Sequence, residues 1–396
     1  MKKIVIGITA SIAAFKTVQF ISNLTKEKDL DLEVIMTPSA TKFVTPVTIQ
    51  ALTKKKVYVD VFDDDYDSIK HIDLVKDASL FMIVPASANT IAKCANGLAD
   101  NMLTAAYLAA TCPKLIAPSM NTHMLEAPAT KRNLKTLEED GVVIASPDVG
   151  LLACGVTGKG KLVDYETLRL MMDYAMSDHP LKGKKVLVTA GPTQESMDPV
   201  RFISNHSTGK MGYAIAKAAF ILGADVHLLS GPVALPQPPL ISFESFTSAL
   251  ELYEIMQKES PFFDYIIMSA AIGDYRADNI EDEKIKKKGD TLTITFKKNP
   301  DILAYLGAHK KDHQVICGFA METQNLLENA SEKLSKKNAD MIVANSLKTK
   351  GAGFGTNTNV ATLITKEKVE PLDIMSKEEL GFLILKKCKE LEETTC

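Results

Sequence analysis

The chain has 396 residues, of which 46 are basic and 49 acidic, for a formal charge of -3. So even a balance gives no electrostatic case for nucleic acid or an anionic membrane surface, and the length leaves room for two or more ordinary cores. Six cysteines (Cys94, Cys112, Cys154, Cys317, Cys388 and Cys396) show neither metal-ligand spacing nor a disulfide framework, so the expected home is reducing and cytoplasmic.

Met1-Lys2-Lys3 followed by "IVIGITASIAAF" imitates a secretory signal. The run is β-branched, breaks at Thr9 and Ser11, and meets Lys16 at once. It reads as a buried strand turning into a helix. No later stretch is long and apolar enough to span a bilayer. Strands at roughly 3–9, 32–37, 80–85 and 113–118 then alternate with helices at roughly 12–26, 41–52 and 90–110. That alternation predicts a parallel sheet covered by helices, with ligands beyond the carboxyl ends of the strands.

The loops expected at that edge are small and polar: Gly7, Thr9 and Ser11 after the first strand, then Ser39 and Thr41. Ser87, Asn89, Thr90 and Asn101 follow the third strand, Met120 and Asn121 the fourth. Each Ser, Thr or Asn is also an ordinary helix cap, so no one of them marks a ligand. Four such loops at one edge, without a lysine-bearing phosphate loop, suit flavin mononucleotide (FMN) better than a triphosphate. Two further residues carry chemistry. His71 stands in "KHIDLVKDA", just ahead of an apolar strand. A lone histidine is usually a surface or capping residue, though it is also the side chain type best suited to proton transfer. Cys154 lies in the glycine-laced "GLLACGVTGKGKLVD", which reads as a flap, whereas Cys94 and Cys112 read as inert core thiols.

These residues carry a resemblance. "GITASIAAFK", "KHIDL", "PASANTIAK", "APSMNTHM" and "ACG..GKGK" resemble the flavin-containing cysteine decarboxylases, specifically the phosphopantothenoylcysteine decarboxylases, over about the first 165 residues. The resemblance implies a flavodoxin-like or Rossmann-like flavoprotein domain. In that family FMN oxidises the substrate thiol to a thioaldehyde, carbon dioxide leaves, and the enethiol is reduced with a flap cysteine as proton donor. Carried over, His71 is the base, Asn121 with Met120 binds the substrate carboxylate, and Cys154 donates the proton. Val156 and Lys161 depart from the family, which usually has an acid and an arginine there.

Helical signal from Tyr165 to Met176 gives way to "SDHPLKGKK". Residues 178–183 are therefore the expected linker between domains at 1–177 and 184–396. "KKVLVTAGPT" then restarts the chain much as Met1–Thr9 opened it. A polar loop with Asp198, Arg201, Asn205 and Ser207 closes in "STGKMG", where Gly209 and Gly212 admit a ligand or simply make a turn. "DYIIMSAAIGDYRAD" is a buried strand ending at Ala270, Ala271 and Asp274, the last either a ribose or metal–phosphate ligand or a cap. The lysines 284, 286, 287 and 288 follow, by default a solvated face, then Asn299-Pro300-Asp301, read as a helix start with Pro at the first helical position. Strand, helix and strand complete the pattern, with Phe319 at a strand end and Lys333 and Lys337 on one helix face. "GAGFGTNTN" at 351–359 reads as a mobile loop.

"AGPT.E..DPVRFISNHSTGKMG", "SAAIGDYR", "KIKK", "KNPDILA", "GFAMET" and "KL..K.AD.IVAN" resemble the CTP-using bacterial phosphopantothenate–cysteine ligases over nearly all of 183–365. That resemblance implies a second Rossmann-like domain, and so a chain of two doubly wound, three-layer α/β domains. It places Asn205 at an acyl-cytidylate and Lys284 on the triphosphate or transition state. Ala270, Ala271, Asp274, Asn299, Pro300, Asp301, Ile302, Phe319, Lys333 and Lys337 would bind CTP, with Mg2+ as its counter-ion and the metal ligands unassigned. Gln194 departs from the family's arginine. Together the two halves imply a bifunctional coenzyme A biosynthesis enzyme whose partners are small molecules and further copies of itself, assembled by analogy as a dodecamer. Two other readings fit parts of the chain: a decarboxylase of a peptide's C-terminal cysteine, and a flavin-binding scaffold without chemistry.

Overall fold

The computed structural model describes residues 1–62, 69–152, 155–286, 289–322, 326–346, 353 and 355–395. The chain divides into two compact units, Met1–Ser177 and Asp178–Cys396. The stretch expected as a linker packs into the second unit. Leu181 is buried there, and its N–H donates to the Leu222 carbonyl at 2.9 Å.

In the first unit, strands β1 (Lys2–Ile8), β2 (Leu30–Met36), β3 (Val57–Tyr58), β4 (Leu80–Ala86), β5 (Lys114–Pro118) and β6 (Val143–Ile144) form one sheet. All pairings are parallel, in the order β3-β2-β1-β4-β5-β6. The core of β1 is buried on both faces, as Ile4, Val5 and Ile6 all are, which is why it reads as a continuous apolar run. An antiparallel hairpin follows, β7 (Asp148–Leu151) with β8 (Thr157–Lys161). It carries the glycine-laced stretch read as a flap; Ala153 and Cys154, at its turn, lie outside the described residues.

One expected element divides. The helix read over 90–110 is two, Ala88–Ala95 and Met102–Ala109. Gly97 takes φ +67°, a left-handed turn that ends the first, and the Asn101 side chain accepts from the Thr104 N–H to start the second. The functional consequence is a further helix N-terminus in this loop system.

The second unit repeats the winding. Here β9 (Lys185–Ala190) is followed by a small antiparallel pair, β10 (Gln194–Ser196) and β11 (Phe202–Ser204). Then come β12 (Asp225–Ser230), β13 (Ser242–Ser245) and β14 (Tyr265–Met268). A second pair, β15 (Tyr275–Ala277) and β16 (Phe296–Lys298), precedes β17 (Val315–Glu322) and β18 (Met341–Ser346). β19 (Thr358–Asn359), β20 (Ala361–Thr365), β21 (Val369–Pro371) and β22 (Met375–Ser376) complete the strands. The main sheet runs β13-β12-β9-β14-β17-β18-β20-β21, parallel as far as β18 and antiparallel beyond. Alternate residues of β9 face opposite cores: Val186, Val188 and Ala190 one way, Leu187 the other. Helices Lys210–Ile221 and Lys377–Thr395 pack on one face. Helices Ala249–Glu259, Ile302–Ala308 and Leu326–Lys336 pack on the other.

Close approach between two of those helices depends on Gly307. A Cβ there would lie 1.8 Å from the Lys337 carbonyl oxygen, a backbone atom that cannot swing aside. Gly307→Ala should therefore cost about 1–3 kcal/mol of stability. The check is a lower urea midpoint for the second unit at unchanged m.

Candidate functional sites

In the first unit the winding reverses between β1 and β4, and the crevice opens at their carboxyl ends. Thr9 is fully buried there; its hydroxyl donates to the Pro85 carbonyl at 2.7 Å and accepts from the Ser87 N–H at 2.8 Å. It braces the neighbouring loop. Ser87 and Asn121 cap helices, accepting from Thr90 N–H at 3.3 Å and His123 N–H at 2.9 Å. Thr90 is buried against Ser87, while Asn89 and Ser39 are exposed and Thr41 donates to the Pro38 carbonyl. Ser11 donates to Ser119 across the crevice at 3.3 Å. The donor set is neutral hydroxyls, one amide and helix N-terminal N–H groups, which fits the phosphate and ring edge of a flavin. Gly7 adds close packing: a Cβ there would meet Leu103 at 2.8 Å.

Beside this crevice lies a cavity of about 330 Å³ lined by Lys16, Ser119, Met120, Asn121, Leu151 and Lys161, among others. It joins the end of β5 to the hairpin. Burial, then the Lys161 charge, lowers the Lys16 ammonium from its ordinary value. Burial, then Asp164, raises the Asp148 carboxyl at the hairpin's foot. Two crowded cations next to an amide suit a carboxylate or phosphate ligand. Ser119 and Lys16 were not singled out from sequence; only the quoted motifs contain them. His71 sits half-buried in the short helix Lys70–Asp73 and does not line this cavity. Burial pushes the Cys94 thiol up to about 12, which leaves it inert.

The hairpin rests on residues 120–122 through two glycines. Met120 N–H donates to the Gly160 carbonyl at 3.1 Å, and a Cβ on Gly160 would stand 2.1 Å from the Met120 carbonyl oxygen. A Cβ on Gly158 would meet the Thr122 hydroxyl at 2.4 Å.

In the second unit, a pocket lies at the carboxyl ends of β14, β17 and β18. The loop and helix start 207–212, Ala270, Ala271, Phe319, Asn345, Asn359 and Lys377 line it. The expected nucleotide residues Ala270, Ala271 and Phe319 thus meet the "STGKMG" turn. Thr189, fully buried, accepts from the Ala270 N–H at 3.1 Å and fixes that strand end. Asn205 sits beside the pocket, donating to the Ala271 carbonyl at 2.7 Å and accepting from Ser207 N–H at 3.1 Å. Asn299 donates to the Gly273 carbonyl at 2.8 Å, while Asp274 is exposed and its carbonyl accepts from Asn299 N–H. Pro300 is not the first helical residue as expected: it precedes the cap, because the Asp301 side chain accepts from the Ala304 N–H and the helix begins at the buried Ile302. Asp301 also pairs with Lys337. Burial works to raise the Asp301 carboxyl, but Lys337 and the Ala304 N–H outweigh it and hold it below its ordinary value. Lys333 donates to the Phe319 carbonyl at 2.8 Å. These two lysines brace the wall behind the pocket lining. Asn345, Asn359 and Lys377 were missed: Asn345 closes the quoted "IVAN", Asn359 ends the stretch read as a mobile loop, and Lys377 follows all the motifs.

Lys284 lines a separate, larger cavity of about 890 Å³ with Arg201 and Lys286; Lys287 and Lys288 lie outside the described residues. A clamp holds this segment. The buried Asp198 carboxylate accepts from the N–H groups of Val200, Arg201 and Ile285 and from the Arg201 guanidinium, which in turn donates to the Ile285 carbonyl at 2.7 Å. Both backbone groups of the residue after Lys284 are thereby tied down. Burial opposes ionisation of Asp198, yet Arg201 and the three N–H groups hold its carboxyl far below the ordinary range. Among the described residues no group of three or more His, Cys, Asp or Glu could hold a metal ion. Nor is any described helix long and apolar enough to cross a membrane.

Comparison with known proteins follows the same division. The model described as the DNA/pantothenate metabolism flavoprotein C-terminal domain matches residues 181–391, and the one described as Flavoprotein matches residues 1–177. The chain is 44% identical over 400 residues to the coenzyme A biosynthesis bifunctional protein CoaBC of Bacillus subtilis (strain 168), covering 100% of this chain and 98% of that one. It is 41% identical over 387 residues to the protein of the same description from Vibrio cholerae serotype O1, covering 97% of each. A crystal structure of the C-terminal domain of such a CoaBC protein covers 55% of this chain and 100% of that domain, at 38% identity and a TM-score of 0.48.

Two outcomes are expected. Gly160→Ala should lift the hairpin from residues 120–122 and cut affinity for an anionic ligand in the 330 Å³ cavity by about tenfold, read by calorimetry. Asp198→Asn should speed amide hydrogen exchange at Ile285 at neutral pH. Because the native value of Asp198 is depressed, its stabilisation is complete above the ordinary aspartate range and is lost as pH falls through the native value. Wild-type protection at Ile285 should therefore persist down to about pH 4.

Proposed function

The chain belongs to the family of bifunctional coenzyme A biosynthesis proteins, and from that premise we propose a division of labour between its units. The second unit joins 4′-phosphopantothenate to cysteine with CTP. The first decarboxylates the resulting 4′-phospho-N-pantothenoylcysteine to 4′-phosphopantetheine. The observation that carries this reading is the pocket where a helix N-terminus, Ala270, Ala271 and Phe319 converge.

A carboxylate is a poor acyl donor, because its leaving group would be oxide. Making it an acyl-cytidylate provides CMP as leaving group, and the amine of cysteine completes the exchange. N–H groups at the start of the helix Lys210–Ile221 face the phosphates of the nucleotide, and Phe319 offers a ring to the base. Asn205 holds the Ala271 carbonyl and presents an amide to charge developing at the acyl centre. Lys284 supplies a cation from the segment that Asp198 and Arg201 hold. Mg2+ enters on the triphosphate, which needs no all-protein cage.

In the first unit, Asn121 with Met120 orients the substrate carboxylate in the 330 Å³ cavity, and Lys16 and Lys161 favour an anion there. His71 acts as base and Cys154 returns a proton from the hairpin; both roles come from the family resemblance. FMN, when bound, supplies the two-electron oxidation and re-reduction that loss of carbon dioxide from a cysteine carboxylate requires. Exposed apolar side chains on this unit, including Ile12, Phe15, Phe43, Val47 and Leu151, support self-association into the homo-oligomer, and the dodecamer follows from family analogy. The enzyme works in the cytoplasm, where its cysteines stay reduced.

Purified protein should be yellow and should release pyrophosphate from CTP only when phosphopantothenate is present. Asn205→Asp should impair that release, or the capture of the acyl-cytidylate by cysteine, by about a hundredfold while leaving decarboxylation intact. Cys154→Ser should stall the first unit at an oxidised, decarboxylated product seen by mass spectrometry. A colourless protein that binds CTP without turnover would sink the enzymatic reading.

A further inference from the structure

Opposite the helix start, the nucleotide pocket is closed by residues outside its motifs. Lys377 is the first residue of the helix Lys377–Thr395 and only 6% exposed. Its ammonium donates to the carbonyls of Gly353 at 3.0 Å and Thr356 at 2.6 Å, and its own N–H donates to the Asn357 carbonyl at 2.9 Å. Lys210, the first residue of its helix, donates to the Gly355 carbonyl and to Asn357 Oδ1, both at 2.9 Å. Among the described residues lining this pocket none is acidic.

That arrangement runs against two electrostatic preferences. A buried lysine is normally paired with an acid, and a cation at a helix N-terminus opposes the helix dipole. Here two lysines stand at two helix N-termini around one cavity. Two acids stand in the first turn of the same helix: Glu378 is exposed and does not line the pocket, and Glu379 is spent on capping, accepting from the Ser376 N–H and hydroxyl at 2.8 Å. The missing charge is therefore that of a ligand.

We propose that Lys377 is a positioning residue of the nucleotide pocket: its ammonium ties the Gly353 and Thr356 carbonyls into the wall beside Lys210 and gives the anionic end of a nucleoside triphosphate a second cation. This inference rests on the nucleotide reading of the pocket. Burial, then the Lys210 charge, pushes the Lys377 ammonium down to about 8. It is charged below that pH and loses its proton above it, so anion affinity falls as pH rises through about 8. Glu378, Glu379 and the carbonyls of Gly353 and Thr356 are the other groups at this end of the helix, and Lys210 faces it from the neighbouring helix.

The test uses the full chain and its Lys377→Met and Lys377→Arg variants, with CTP and unphosphorylated cytidine as probes. In Lys377→Met, CTP affinity should fall about tenfold or more, cytidine affinity should hold, and KM for CTP should rise more than kcat falls. Wild-type affinity should decline between about pH 7 and about pH 9, whereas both variants should lose that decline, since arginine stays charged throughout. Melting curves establish that each variant is folded. A folded Lys377→Met with wild-type CTP affinity overturns the inference. Should the methionine variant fail to fold, a Lys377→Arg protein that keeps the wild-type pH decline overturns it equally. Wild-type protein that binds no CTP at all removes the nucleotide reading itself, and this inference with it.

Discussion

Parallel strands joined by helices must return across the sheet, and where the winding changes direction two loops part and leave a crevice. Both units obey that constraint in the same form. With each unit's main parallel strands counted in chain order, both sheets run 3-2-1-4-5-6. The crevice lies beside β1 in one and β9 in the other, and each of those strands is buried on both faces. The lining of each crevice is attached to the carboxyl ends of the parallel strands, whereas Lys284 stands apart in the segment between β15 and β16. The restart at Lys184 is thus a repetition of architecture, and the loops together with the extension beyond β18 make the units different.

The difference is one of charge. Loops of the first unit offer hydroxyls and amides, many already spent on one another, as Thr9 is on Pro85 and Ser87. Cations enter at the neighbouring cavity, through Lys16 of the helix Ala14–Leu24 and Lys161 of the hairpin. In the second unit Lys210 and Lys377 line the pocket itself, while Lys333 and Lys337 brace its walls by holding a carbonyl and a carboxylate. A bound flavin carries one phosphate and a large neutral ring. A nucleoside triphosphate carries far more charge, and the placement of lysine follows that distinction.

Much of this was legible in the sequence for a physical reason. Buried parallel strands are continuous apolar runs, so β1, β4, β9 and β14 announced themselves, and the Gly- and Asn-bearing turns after them marked the crevices. What the sequence hid was of two kinds. Breaks such as the one at Gly97 are set by a single left-handed residue inside an otherwise helical stretch. Long-range partners were hidden as well. Nothing in "DPVR" says that Asp198 will hold the backbone of Ile285, 87 residues away. Ser376 and Glu379 form a capping box in the structure, but nothing in a helix start says that Lys377 lines a pocket built from β14 and β17.

That last point bears on how the second unit departs from a minimal dinucleotide fold. Beyond β18 the sheet turns antiparallel through β20 and β21, and the chain then returns as the helix Lys377–Thr395 against the helix Lys210–Ile221. The six parallel strands β13, β12, β9, β14, β17 and β18 already complete the doubly wound sheet without that addition. The return brings a second helix N-terminus to the pocket, beside the first, and fixes the Asn359–Asn345 pair at its edge at 3.1 Å. The βα repeat places the first terminus, which follows β9, but not the second, which the chain reaches only after β20, β21 and β22. The C-terminal extension therefore belongs to the binding site, and truncating it would open one wall of the pocket as well as uncover the core beneath Leu380, Ile384 and Cys388.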